Sequence, residues 1–279
     1  MHRSVLEQPR RPGRSPGDAA IGSRTLLISE LLCESVDLHA GERVLDMPCG
    51  SGSAALAAAR RFCRAVAVDA PEPLQAVRRR AEAEGLEVAV AEGDPAELPV
   101  PDGCFDAVLS AGDTMSAPGP DATAAELLRA CRPGGRIGLV AWTPDGYPGR
   151  LSAALGRQLP IHRGTPLGFP GPLPAADRRP PAPWGSRQRL RELFGPEVAI
   201  TAPRRSFRWH FPSAEHQVAY LAAFHHPTAQ ALLAAGPDRA AALEAELLEL
   251  ARRFDVSEDE TLVLQLDYLE AVVRKPLWG

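Results

Sequence analysis

The chain has 279 residues, 45% of them hydrophobic, and a formal net charge of −4. That length suits one large α/β domain with elaborations, and the apolar content supports a substantial core. The acidic balance argues against nucleic acid as a partner, and no apolar run reaches the about 18 residues a membrane span needs. Residues 1–22 are rich in Pro, Gly and Arg without apolar periodicity or a signal-peptide core, so they read as a disordered basic tail. Leu27, Leu31 and Leu32 then repeat at helical spacing within 23–36, before a strand at Val44–Asp46. Helix 53–62, strand Ala65–Asp69, helix 71–85 closed by Gly85, and strand Glu87–Ala91 follow. An irregular loop leads to strand Phe105–Ser110, helix Asp121–Cys131, the turn RPGGR and strand Ile137–Trp142. Short, nearly all-apolar strands alternating with helices predict a parallel sheet covered on both faces, doubly wound by right-handed crossovers.

From 143 to 186 Pro and Gly dominate, and a long loop is expected. Helix 187–194, an extended stretch 197–211 ending in SFRWHF, helices 213–225 and 227–254, and a last strand Leu266–Arg274 complete the chain. The division is a tail (1–22), a core (23–145), and a substrate loop, helical lid and final strands (146–279). Five cysteines, at 33, 49, 63, 104 and 131, include no CxxC pair; neither disulfides nor a metal site are expected, and reduced thiols fit a cytoplasmic protein. One lysine, no asparagine and 30 arginines read as GC-rich bacterial coding.

Chemistry concentrates at the ends of the predicted strands. In VLDMPCGSGSAALAAARR, a strand ends at Asp46 and a glycine turn opens a helix. Gly50 and Gly52 allow close backbone approach, and the helix start beyond them offers free N–H groups. Asp69 tips the second strand, 17 residues after Gly52. Asp94 and Pro95 follow the third strand, and Asp106 begins the fourth. The order VLD-x-x-CGSG, AVDA, EGD-x-x-x-LP, FD-x-V, RPGGR resembles the class I S-adenosylmethionine (SAM)-dependent methyltransferases of the quinone-biosynthesis and natural-product type. Pro48 departs from the family, which has Gly or Ala there.

The resemblance implies a Rossmann-like α/β fold: a doubly wound seven-stranded sheet, last strand antiparallel, with a helical lid insert. It implies SAM as cofactor, S-adenosylhomocysteine as product, and Asp46, Cys49, Gly50, Gly52, Asp69, Ala70, Asp94, Pro95 and Ser110 as its binding residues. Asp46 faces the methionine ammonium, Asp69 the ribose hydroxyls and Asp94 the adenine amino group. A NAD site is the competitor, since Gly50–Ala55 fits G-x-G-x-x-A, but the later motifs have no counterpart there. The partner is a small molecule, with neither nucleic acid nor membrane, and a homodimer is compatible with the sequence. A general base is needed only for a protonated acceptor. His225, His226 and Asp113 are the candidates, with His210 and His162 behind them. Trp142, Tyr147, Trp184, Trp209 and Phe224 are candidate pocket aromatics. The alternative function is a SAM-binding relative that catalyses a non-methyl reaction such as a cyclisation.

Overall fold

The computed structural model describes residues 26–111, 119–157 and 184–277. The N-terminal tail, Asp113, His162 and most of the Pro/Gly-rich stretch lie outside the described residues.

Helix α1 (Leu26–Val36) precedes β1 (Arg43–Asp46), α2 (Ser53–Arg60), β2 (Arg64–Asp69), α3 (Pro71–Glu84) and β3 (Val88–Glu92). β4 (Phe105–Ala111), α4 (Pro120–Ala130) and β5 (Cys131–Trp142) finish the alternating part. Then come α5 (Tyr147–Gly156), α6 (Arg187–Phe194), β6 (Ala199–Thr201), β7 (Arg204–Phe211), α7 (Ala214–Phe224), α8 (His226–Arg253) and β8 (Leu262–Arg274).

The sheet runs β3-β2-β1-β4-β5-β8-β6, with β7 also on β8. β1 to β5 are parallel, and β8 is antiparallel to β5. β6 pairs with Val272–Arg274 and β7 with Leu262–Leu269, so these two strands fill one sheet position in turn. Pro203, which has no N–H, stands at the break, and its carbonyl accepts from the Glu270 N–H at 3.0 Å. Eight strands thus occupy the seven expected positions, and β8 is antiparallel as expected.

Strand alternation sorts side chains between two cores. Val44, Ala65, Ala67, Ala107, Leu109, Val140, Tyr268 and Val272 pack with α1, α2 and α3. Leu45, Val68, Val108, Ile137, Leu139, Leu269 and Val273 pack with α4 and α6. Fully burying a Val or Leu stabilises by about 1.5–3 kcal/mol, so these two layers hold the sheet. α2 is buried from Ser53 to Ala59, and its small side chains let it lie flat between α1 and the strands. A third cluster joins α5, α7 and α8 to the outer parts of β7 and β8.

Four expectations on elements change. A helix, α5, opens the stretch read as loop. Pro148 sits in its first turn, where no N–H is needed, and Leu151, Ala154 and Leu155 bury one face. The helix expected over 227–254 breaks at Gly236 (φ 72°, ψ 169°), the residue before Pro237, where the α conformation is disfavoured. β8 begins at Leu262, because β7 supplies a partner that makes the alternating LVLQ a strand. The RPGG turn bulges out of β5: Phe105 pairs with Cys131, but Ala107 pairs with Arg136.

Candidate cofactor and acceptor site

Connections from β1 run outward to β2 and β3, and those from β4 run the other way to β5. The order reverses between β1 and β4, and ligands of open α/β sheets bind beyond the carboxyl ends at such a point. Register sets the heights there. Asp46 is level with Ala67 on β2 and Leu109 on β4. Asp69 therefore stands two residues higher, as does Ala111, which pairs with Val140.

The loop after β1 is fixed by its main chain. The Met47 N–H donates to Leu109 (2.9 Å), the Cys49 N–H to Val68 (3.1 Å), and the Gly52 N–H to Cys49 (2.7 Å). Gly50 and Gly52 both have positive φ, 50° and 73°. This bend turns the Gly50 N–H onto Asp69 Oδ2 at 2.8 Å. Asp69 Oδ1 accepts from the Ala70 N–H at 2.7 Å, which pins the carboxylate at the strand tip. Arg80 of α3 donates to the Ser51 carbonyl (2.5 Å) and to Ser53 Oγ (3.2 Å), bracing the loop from the helix side.

Asp46 is 1% exposed, and its Oδ2 accepts from the Ala55 N–H at 2.8 Å. It caps the start of α2 from the end of β1, joining strand, loop and helix. Cys49 is buried and Ser110 is fully buried. Ser110 alternates with Ala111 and lies on the α4 side of the sheet. Asp94 is exposed and accepts from the Ala96 N–H at 2.7 Å. Its loop is tied to α4: Glu126 accepts from the Leu98 N–H (2.7 Å), and Arg129 donates to Val100 (2.7 Å) and Leu98 (3.1 Å). Asp106 sits at the opposite end of the sheet. It accepts from the Arg43 N–H (2.8 Å) and from Arg132 (2.7 Å), so the FD and RPGGR motifs meet in one ion pair.

His225 Nδ1 lies 2.7 Å from Thr228 Oγ1, and its carbonyl accepts from the Thr228 and Ala229 N–H groups. This histidine ties α7 to α8. The His226 side chain is outside the described residues, and His210 is exposed on β7. Of the aromatics, Trp184 packs on Phe194 in the α4-side core. Tyr147 and Trp209 are buried in the third cluster, where Tyr147 accepts from Gln217 at 2.6 Å. Trp142 and Phe224 remain partly exposed. The structure thus brings Gly50, Asp69 and Ala70 together. Sequence reading missed Arg80, whose long reach from α3 leaves no local signature. It also missed Glu270, a 3%-exposed carboxylate that in the sequence is one polar residue within an apolar strand.

Residues 44–135 match the methyltransferase domain family. An uncharacterized protein of Mycobacterium tuberculosis is 33% identical over 270 residues, covering 93% of this chain and 91% of its own. The demethylmenaquinone methyltransferase of Thermus thermophilus is 40% identical over 139 residues, 44% of this chain and 63% of that protein. Among solved structures, the YcgJ protein of Bacillus subtilis covers 90% of this chain and 99% of its own, with a TM-score of 0.59 and 18% identity. The [4+2]-cyclase SpnF covers 98% and 88%, with a TM-score of 0.53 and 18% identity. These two similarities show the fold alone. No helix among the described residues is long and apolar enough to cross a membrane. With the five motifs in order on this sheet, the chain belongs to the class I SAM-dependent methyltransferase family, and S-adenosylmethionine is its cofactor.

Proposed function

We propose that this protein methylates a small-molecule acceptor, a secondary metabolite, in the bacterial cytoplasm, acting as monomer or homodimer without nucleic acid or membrane. The observation that carries the reading is the Asp69 carboxylate, fixed by the Gly50 and Ala70 N–H groups at the tip of β2. The residues present fit the cofactor: a carboxylate suits two ribose hydroxyls, and a positive-φ bend presents main chain to the crevice. Pro48 leaves that bend intact, because the N–H groups that shape it belong to Met47, Cys49, Gly50 and Gly52.

When bound, the cofactor supplies an electrophilic methyl group on a sulfonium. The chain's own residues supply position, which can contribute several kcal/mol by proximity alone. Asp69 and Ala70 orient the ribose side. Gly50, Gly52 and Cys49 line the bend through their backbone. Asp94 and Pro95 border the adenine side. Asp46 acts through α2, whose orientation its cap sets. Ser110 contributes main chain at the tip of β4. The α7–α8 pair, inserted between β7 and β8, serves as the lid, and His225 holds its joint. A base from His226 or Asp113 is required only for an alcohol, phenol or acidic carbon acceptor.

Calorimetric titration with SAM and S-adenosylhomocysteine tests the reading, and absence of binding at millimolar ligand sinks it. Asp69→Ala is expected to weaken SAM binding by about 1–3 kcal/mol through lost charged hydrogen bonds. An unchanged affinity would remove the ribose assignment. A non-methyl reaction, such as a cyclisation, is the second reading. It is favoured by His225 being committed to Thr228 and His210 lying out on β7. Labelled SAM incubated with metabolite extract separates the two: labelled product supports methyl transfer, and binding without product supports the second.

A further inference from the structure

Glu270 is a buried carboxylate that the cofactor site does not use. Charged groups are seldom buried unless paired, and Glu270 draws its partners from two other elements. Ser35 of α1 donates to its Oε1 at 2.6 Å, and Arg205 Nε of β7 lies 3.4 Å from the same oxygen. Glu270 is 3% exposed, whereas the Arg205 side chain is 55% exposed. Among the described residues, the only acceptor paired with the Arg205 fork is Glu270, through Nε.

Register places this pair near the tip of β4. Ala111 at the tip of β4 pairs with Val140, and Val140 pairs with Glu270, so the three share one row. Two strand spacings, about 10 Å, separate Ala111 from Glu270. Two residues further toward the β5 tip, on the same face of the sheet, Trp142 pairs with Tyr268 and Tyr268 with Arg205. Trp142 and Tyr268 meet edge to face, with centroids 5.8 Å apart, and Trp142 and Phe207 remain partly exposed.

We propose that Arg205, oriented by Glu270, is the specificity-determining residue of the acceptor site, and that the acceptor is a planar apolar molecule carrying a carboxylate remote from the methylated atom. The proposal rests on the methyltransferase reading. An arginine fork matches a carboxylate through two parallel N–H donors. Anchoring Nε to a buried group fixes the fork's plane before the ligand arrives. Glu270 does not cancel the attraction. An anion about 4 Å from the guanidinium and about 7 Å from Glu270 is attracted somewhat under twice as strongly as it is repelled. Arg205 stands on β7, three strand spacings, about 15 Å, from Ala111, so the acceptor is an extended planar molecule of at least two fused rings, with Trp142 and Phe207 as its apolar wall.

The test uses the full chain with S-adenosylhomocysteine, titrated with 2-naphthoate and with 2-naphthamide, which keeps the rings and removes the charge. Naphthoate is expected to bind at least tenfold more tightly. Arg205→Gln should abolish that preference while leaving naphthamide affinity unchanged, and Arg205→Lys should restore only part of it. Equal affinities in the native protein, a preference that survives Arg205→Gln, or binding of neither compound overturns the proposal. S-adenosylhomocysteine uptake, measured in the same samples, reads the broader function separately. An Arg205-dependent preference without such uptake would overturn the methyltransferase reading and keep the anion subsite.

Discussion

Gly52 shows how one residue carries the cofactor loop. It caps α2 in the left-handed region, and a Cβ there would lie 2.6 Å from Val77 Cγ2 on α3. Both the backbone conformation and the close approach demand glycine. Gly52→Ala is expected to destabilise the fold by about 1–3 kcal/mol, read as the urea midpoint. Adding Val77→Ala should recover the steric part only, since the positive φ persists. A full recovery would show that the conformation costs nothing. The cysteines differ just as sharply in reactivity. Burial pushes the Cys33 thiol up to about 12 and Cys131 to about 11, while Cys104 is partly exposed. Because the thiolate is the reactive form, iodoacetamide at pH 8 should label Cys104 first in the native protein, as peptide mapping will show. Early labelling of Cys33 would contradict its place in the core.

Among elements, α4 is the hub that links the cofactor edge to the chain's end. Glu126 and Arg129 hold the Asp94 loop at one side. The protein's single lysine, Lys275, donates to the Leu128 and Cys131 carbonyls at 2.9 Å each, closing the helix C-terminus. Lys275→Ala is expected to cost about 1–2 kcal/mol of stability, because two helix-end carbonyls lose a charged donor. A thermal midpoint equal to that of the parent would show that water replaces the ammonium fully. α1 is placed by a different device. A Cβ on Gly138 would lie 2.4 Å from Val36 Cγ2, so bare backbone in β5 lets this helix seat against the sheet. That seating brings Ser35 to Glu270.

At the scale of the molecule, depressed carboxylates give the fold an acid limit. Burial pushes the Asp106 carboxyl up, but the Arg43 N–H and the Arg132 guanidinium outweigh it and hold it below the usual aspartate range. The Arg129 guanidinium holds Glu126 low in the same direction. A group with a lowered folded-state pKa adds stability above its unfolded value and loses it as pH falls through the folded one. The thermal midpoint should therefore stay level from neutrality to about pH 5 and fall below about pH 4, where ordinary carboxylates begin to protonate. Asp106→Asn should shallow that fall, and an unchanged slope would assign the acid limit elsewhere.

The alternating part of the sheet was legible in the chain because each of its devices is local. Apolar runs such as RAVAVD end in a polar tip, Gly85 closes α3, and the CGSG bend needs two residues with positive φ within three positions. Elements that depend on distant partners were not legible in the same way. LVLQ becomes strand only because β7 lies alongside it, and α5 shows its apolar face only against α8 and β8. The final contrast is between Asp69 and Glu270. A carboxylate at a strand tip announces itself by its spacing from the glycines. A carboxylate buried in mid-strand acquires meaning only when α1 and β7, 235 and 65 residues away in sequence, deliver a hydroxyl and a guanidinium to it. Period and turn chemistry act over a few residues and can be read from order alone, whereas burial and charge pairing are properties of what the fold sets side by side.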